Sequence, residues 1–214
     1  LVTDQLGPPG EDTPDPQLEL PAVVAHELLD RRAQELGVAV ELPPAGVLRC
    51  VEDAGIGFCL APRYHPAFRF AAPSRREIGI PTVFNMLGPM ANPGRVKRQL
   101  IGVANPAVAE RMLASLRLHG SHRAWVVHGN GLDELTTTGL STVLALEDDT
   151  VRSFTVDPIA LRLAPAILDE LVGGTPAVNA DVVHRVMGGE HGAHRNIVVL
   201  NAAAALVVAG RAAS

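Results

Sequence analysis

Apolar positions recur along the chain with two periods, one helical and one extended. Val23, Val24, Leu28, Leu29 and Leu36 suit a helix over residues 21–36 with a charged face, stopped by Gly37. A second short helix is expected over residues 45–54, ending at Gly55, and the compact apolar run 56–60 reads as a buried strand. Residues 99–104 and 124–127 are also expected as strands. Between these two, Asn105-Pro106 opens a helix, with Asn as cap and Pro at the first helical position. Val108, Met112, Leu113 and Leu116 line one face of that helix, and Gly120 ends it. Alternating segments at 141–146 and 151–156 flank the polar turn Glu147-Asp148-Asp149-Thr150, which predicts a hairpin. Helices are then expected near 165–172, over 176–187 and over 193–209, the last apolar nearly all round and therefore buried. Two stretches are less regular. Residues 61–79 read as a loop whose second half is helical, with Arg75 and Arg76 close to its C-terminal end. Residues 84–93 read as a loop punctuated by Gly, Pro and Asn. Strands alternating with helices, plus the hairpin, predict an α/β domain with a mixed sheet flanked by helices. Residues 1–20, acidic and Pro-rich with little periodicity, are expected as a disordered leader, which leaves 21–214 as the domain.

Composition narrows the function classes. The chain has 214 residues, 47% of them hydrophobic, which excludes a disordered protein and lets a core form without disulfide staples. Aromatic residues at 3% argue against a base-stacking platform, and a formal charge of −5 offers no footprint for nucleic acid or an anionic membrane. The two cysteines, Cys50 and Cys59, exclude a disulfide framework and a cysteine-rich zinc site, and read as buried free thiols. The longest apolar stretch, 197–209, is interrupted by Asn201 and is too short to span a bilayer. The opening residues carry no signal-peptide pattern, and a cytoplasmic setting is expected.

Residues 131–139 hold the sharpest chemistry: Gly131-Leu132-Asp133-Glu134-Leu135-Thr136-Thr137-Thr138-Gly139. A predicted strand delivers two adjacent carboxylates into a glycine-bracketed loop rich in hydroxyls. Neighbours on a strand point to opposite faces, but in a loop both turn toward one ion. Hard oxygen ligands of this kind suit Mg²⁺, which keeps several waters and bridges to substrate phosphates. A lone Asp-Glu pair more often reads as a solvated acidic turn. Its position after a strand's C-terminal end, where α/β sheets bind ligands, favours the ion. A second cluster is Pro62-Arg63-Tyr64-His65-Pro66 with Arg69, Arg75 and Arg76. Its guanidiniums suit a planar carboxylate held bidentately, or equally surface ion pairs with residues such as Glu77. His65 alone also reads as a structural histidine. His119, His122, His184, His191 and His194 show no metal-ligand spacing and read as surface or capping residues. His128 lies beside the acidic loop with no Ser or Cys partner, so no triad is read.

Taken together, Ala61-Pro-Arg-Tyr-His-Pro66, Arg75-Arg-Glu-Ile-Gly79, Phe84-Asn-Met-Leu-Gly-Pro89, Asn92-Pro93, Lys97-Arg-Gln-Leu-Ile-Gly102 and Gly131-Leu-Asp-Glu-Leu-Thr136 form a specific combination. In order and spacing it resembles the anthranilate phosphoribosyltransferase family, from about Gly37 to Gly210. The resemblance implies transfer of the phosphoribosyl group of phosphoribosyl pyrophosphate to the amine of anthranilate, in tryptophan biosynthesis. It implies a homodimer with a small helical domain and a larger α/β domain, a fold shared with the pyrimidine nucleoside phosphorylases. It implies Asp133 and Glu134 as Mg²⁺ ligands at the pyrophosphate and Arg75 as the arginine that holds the anthranilate carboxylate. Pro62, His65, Phe68, Ala72 and Gly88 match positions along the anthranilate channel. No residue is assigned as general acid or base.

The family's Gly-rich pyrophosphate loop, its Asn-Ser-Thr segment and its Lys-His-Gly-Asn-Arg-Ala loop have no counterpart in these residues, and most of the helical domain is missing. The chain therefore reads as a member truncated in its N-terminal half and at its C-terminus. At most millimolar ligand binding, and no turnover of its own, are expected. Two other readings stay open. One is a non-catalytic remnant serving as a binding module. The other is a pyrimidine nucleoside phosphorylase, against which Arg75 and the 61–66 motif speak.

Overall fold

The computed structural model describes residues 33–213, apart from 72, 75, 76, 78–82 and 93. The expected leader and most of the first helix lie outside the described residues; residues 33–35 are helical, and a turn at Leu36-Gly37 ends them where expected. Helix α1 spans Pro44–Ala54. Pro44 brings a helical φ to the first turn, where its missing N–H is not needed. Gly55, at φ 72°, closes the helix in the left-handed region, its N–H bonded to the Val51 carbonyl.

Residues 56–60 do not form the expected strand. Gly57 lies so close to α1 that a Cβ there would come within 2.8 Å of Val47 and Val51. The run packs on that helix, Ile56 is exposed, and the four strands of the sheet pair only among themselves. An apolar run becomes a strand only where a neighbouring edge takes its backbone hydrogen bonds. Helix α2 (Ala61–Tyr64) and a 3-10 turn over Pro66–Phe70 follow. Residues 84–93, expected as a loop, contain helix α3, Phe84–Met90. Its Met86 and Met90 pack against the core cluster that holds Ile101, Val103 and Met112. That burial outweighs the N–H missing at Pro89.

The sheet comprises β1 (Arg98–Gly102), β2 (Arg123–Gly129), β3 (Ser141–Glu147) and β4 (Thr150–Val156), in that spatial order. Helix α4 (Ala109–Leu118) crosses between β1 and β2, so these two run parallel, Gln99 opposite Ala124 and Ile101 opposite Val126. Its entry is as expected: Asn105 Oδ1 accepts the Ala107 N–H at 3.0 Å, and Pro106 starts a 3-10 turn that runs into the helix. The other pairs are antiparallel. The β3–β4 turn holds Asp148 and Asp149 at φ 43° and 69°, the primed geometry that matches strand twist.

Helix α5 (Pro176–Met187) is present as expected, with Thr175 Oγ1 accepting the Val178 N–H at 3.3 Å. The helix expected over 165–172 is only a 3-10 turn, Leu168–Glu170. Ile167, Leu168 and Val172 are exposed, so no buried face sustains a longer helix. Helix α6 (Ala193–Val208) is buried on one side, through Ile197, Leu200, Ala204 and Val208, while Val198, Val199 and Leu206 are exposed. It lies on the sheet, not inside the core as its apolar composition suggests.

The two-residue period of β2 sorts the core. Ala124 and Val126 face α4 and join Met112, Leu113 and Leu116. Trp125 and Val127 point the other way and join Leu200, Ala204 and Val208 of α6. Helices thus cover both faces of a mixed sheet, the expected α/β arrangement. Cys50 and Cys59 are free and half-buried instead of buried; burial raises the Cys59 thiol pKa, against a hydrogen bond with Tyr64. No helix among the described residues is long and apolar enough to cross a membrane.

Candidate functional site

At Gly129 β2 ends, and the chain reverses over Asn130-Gly131. Both take positive φ, 49° and 91°, and Gly129 and Leu132 exchange backbone hydrogen bonds of 3.0 and 2.8 Å. Asn-Gly favours such a two-residue turn, and a side chain at Gly131 would be strained. The chain thereby doubles back over its own sheet and sets Asp133 and Glu134 at the C-terminal ends of β1 and β2. Two glycines make room for it. A Cβ on Gly102, the last residue of β1, would overlap the carbonyl group of Asp133. One on Gly129 would press on the Glu134 carbonyl oxygen and stand 2.9 Å from Thr136 Cγ2.

Beyond the carboxylates the loop dives into the protein. The Leu135 side chain, 1% exposed, enters the cluster of Val127, Val143 and Leu200. Its backbone is held from α6, where Asn201 Oδ1 accepts the Leu135 N–H at 3.0 Å and Nδ2 donates to the Leu135 carbonyl at 2.7 Å. Thr136 and Thr137 are fully buried, and Ser141 Oγ accepts the Thr136 N–H at 2.9 Å. Thr136 Oγ1 accepts the Thr138 N–H at 3.0 Å, and Asn130 Nδ2 donates to Thr138 Oγ1 at 3.1 Å, joining the two ends of the loop. The Thr136 and Ser141 hydroxyls therefore serve the loop's own backbone, while the buried Thr137 hydroxyl has no hydrogen-bond partner among the described residues. Asp133 and Glu134 are left exposed above it.

Although the residue is exposed, desolvation of its carboxyl by the surrounding protein, and then the negative charge of Asp133, raise the Glu134 pKa above its ordinary value. A carboxyl that holds its proton more tightly folded than unfolded stabilises the fold only while protonated. Its ionisation subtracts stability as pH rises through the folded pKa. Glu134→Gln should accordingly unfold at a slightly higher temperature than the parent at pH 7 without metal, the gain vanishing near about pH 4. The same variant should bind a divalent cation more weakly, since two crowded like charges are what a cation relieves. Thermal unfolding across pH, with and without Mg²⁺, reads both signs; a lower midpoint at pH 7 would contradict the account.

Mg²⁺ requires hard oxygens and retains waters. Two exposed, mutually repelling carboxylates fit part of that shell and leave the remainder to water and ligand oxygens. Among the described residues no group of three or more His, Cys, Asp or Glu could enclose a metal.

The other expected site residues occupy separate stretches. Gly88 lies in α3 with open space where a Cβ would point. Through Met86 and Met90, α3 packs on the cluster that includes both neighbours of Gly102, which ties it to the strand under the acidic turn. Pro62 lies in α2 and Phe68 in the 3-10 turn, with half-buried His65 between them, on a helical stretch of their own. Ala72 and Arg75 lie outside the described residues, as does Arg76. His128 is tied down, donating from Nδ1 to the Val103 carbonyl at 2.9 Å. Gly102, Leu135 and Asn201 are not among the expected site residues. Asn201 alone carries a signal, as the one polar side chain in the apolar run 197–209.

Compared with known proteins, residues 32–214 match the family described as "Glycosyl transferase family, a/b domain". The chain is 47% identical over 177 residues to the anthranilate phosphoribosyltransferase of Phenylobacterium zucineum (strain HLK1), covering 83% of this chain and 52% of that protein. It is 50% identical over 181 residues to the anthranilate phosphoribosyltransferase of Roseiflexus sp. (strain RS-1), covering 83% and 53%. The chain spans about half the length of the curated relatives it matches. The crystal structure of anthranilate phosphoribosyltransferase from Thermus thermophilus aligns with a TM-score of 0.80 at 36% identity, covering 86% of this chain and 55% of that one. That of Saccharomyces cerevisiae in complex with PRPP and Mg aligns with a TM-score of 0.78 at 25% identity, covering 86% and 54%.

Proposed function

Because the chain belongs to the glycosyl transferase family, as its a/b domain, we propose that it supplies part of an anthranilate phosphoribosyltransferase. The reaction is transfer of the phosphoribosyl group from phosphoribosyl pyrophosphate to anthranilate, giving N-(phosphoribosyl)anthranilate and pyrophosphate, in tryptophan biosynthesis. The observation that carries this reading is the acidic turn, two exposed carboxylates held by backbone contacts over the C-terminal ends of parallel strands. Residues 21–214 as one α/β domain, a homodimeric assembly and a cytoplasmic setting belong to the same proposal.

Asp133 and Glu134 would hold Mg²⁺ through carboxylate oxygens, leaving the rest of its shell to water and phosphate oxygens of the substrate. Held by these two carboxylates, the ion would supply charge neutralisation for the departing pyrophosphate. The bond from the anomeric carbon to the pyrophosphate oxygen breaks, and positive charge grows on the ribose. The anthranilate nitrogen forms the new bond to that carbon and then loses a proton to solvent. The work of this chain's residues is orientation: Arg75 pairs with the anthranilate carboxylate, while Pro62, His65, Phe68, Ala72 and Gly88 wall its ring.

The 214-residue polypeptide tests the reading in two signals: calorimetry with phosphoribosyl pyrophosphate and Mg²⁺, and loss of anthranilate fluorescence. Each charge-assisted hydrogen bond missing with the Gly-rich loop weakens binding by about 1.5–3 kcal/mol. The expected result is Mg²⁺-dependent binding no tighter than about millimolar, lost in Asp133→Ala, with turnover at background. Binding that persists unchanged in Asp133→Ala overturns the site; micromolar binding overturns the need for the absent loops.

A further inference from the structure

We propose that Asn201 is the positioning residue of the acidic turn. Its carboxamide, which is not itself a ligand group, fixes where Asp133 and Glu134 stand and so sets the affinity of the turn for a divalent cation. This rests on the reading of Asp133 and Glu134 as cation ligands.

Helix α6 is apolar along the stripe that meets the sheet, Ile197, Leu200, Ala204 and Val208, and Asn201 interrupts that stripe. A carboxamide there is unfavourable unless each polar atom is paired. All are paired: Oδ1 takes the Leu135 N–H at 3.0 Å, and Nδ2 gives one hydrogen to the Leu135 carbonyl at 2.7 Å and the other to the Ile197 carbonyl at 2.9 Å. The bond to Ile197, one helical turn back, fixes the plane of the carboxamide. The two bonds to Leu135 copy those that a paired residue on a neighbouring strand exchanges. They fall on the residue directly after Glu134. The turn is thus pinned at three consecutive residues, Asp133 against Gly102, Glu134 against Gly129, and Leu135 against Asn201. Of these three contacts only the third is a hydrogen bond. The Gly129–Leu132 pair fixes the chain before the carboxylates, and the Asn201 clasp fixes it directly after Glu134, which is how Asn201 bears on their aim.

A second asparagine provides the control. Asn179 in α5 makes the same clasp on Gly174, accepting its N–H at 2.9 Å and donating to its carbonyl at 2.9 Å, but holds no part of the acidic turn. A purely structural Asn201 would behave like Asn179 in every readout.

The test titrates the full chain with Mn²⁺, followed by electron paramagnetic resonance with and without pyrophosphate, beside thermal unfolding of each variant. Asn201→Leu is expected to weaken Mn²⁺ binding about tenfold, or about 1.4 kcal/mol. Asn179→Leu should lower the thermal midpoint yet bind Mn²⁺ as the parent does, and Asp133→Ala should lose Mn²⁺. If Asn201→Leu does not fold, Asn201→Ser carries the same comparison, since it removes the clasp without adding charge. Parental affinity in the Asn201 variants, with binding lost in Asp133→Ala, overturns the positioning role and leaves the carboxylates as ligands. Equal weakening in the Asn201 and Asn179 variants also overturns it, and parental affinity in Asp133→Ala overturns both readings.

Discussion

In Gly102→Ala the thermal midpoint is expected to fall by roughly 6–12 °C, the shift that a loss of about 3 kcal/mol produces in a chain of this length. Gly102 pairs with Val127 on one side, and the space a methyl group would take holds the Asp133 carbonyl. The obstructing atoms are backbone, so no rotamer change relieves the overlap. Either the acidic turn lifts or β1 is pushed from β2. Overpacking costs about 1–3 kcal/mol where side chains yield, and more where the main chain must move. Cation binding should disappear with the turn. An unchanged midpoint with normal Mn²⁺ binding would show that the turn does not rest on β1.

Leu135→Ala is expected to remove about 2–5 kcal/mol, the range for deleting most of a leucine from a packed interior. The side chain is 1% exposed and sits between strands β2 and β3 and helix α6. It also anchors the chain one residue past Glu134, so stability and cation affinity should fall together. Leu200→Ala, from the same cluster but on α6, should lose comparable stability and keep more of its affinity. Denaturant unfolding and Mn²⁺ titration of the pair separate the two effects. If Leu135→Ala binds Mn²⁺ like the parent, Asn201 and the two glycines hold the turn unaided.

The elements legible in the sequence are those whose cause is local. Asn105-Pro106 caps its helix, Gly55 closes another, and the polar pair at 148–149 turns the hairpin, each within a few residues. What the sequence conceals depends on neighbours in space. Residues 56–60 have a strand's composition without a paired edge beside them. Phe84–Met90 has a loop's composition, yet two methionines find a core to enter. Helix α6 is apolar all round, but only the sheet side is covered among the described residues. The site divides in the same way. The proposed cation ligands Asp133 and Glu134 stand out by residue type and by following a strand. Asn201 reads as a blemish in an apolar run, because its partner stands 66 positions away.

The connectivity of the sheet also orders events in time. Strands β3 and β4 close over two residues, which takes little chain entropy, whereas β1 meets β2 only after α4 has crossed between them. The clasp of Asn201 on Leu135 spans a longer loop still. Pairings close in sequence form fast and distant ones wait on them. The hairpin is therefore expected to be the early unit of a refolding chain, and the acidic turn, which needs β1, β2 and α6 together, to be completed late. A cation that recognises only the finished turn cannot hasten the earlier steps; it acts by slowing the reverse of the final one.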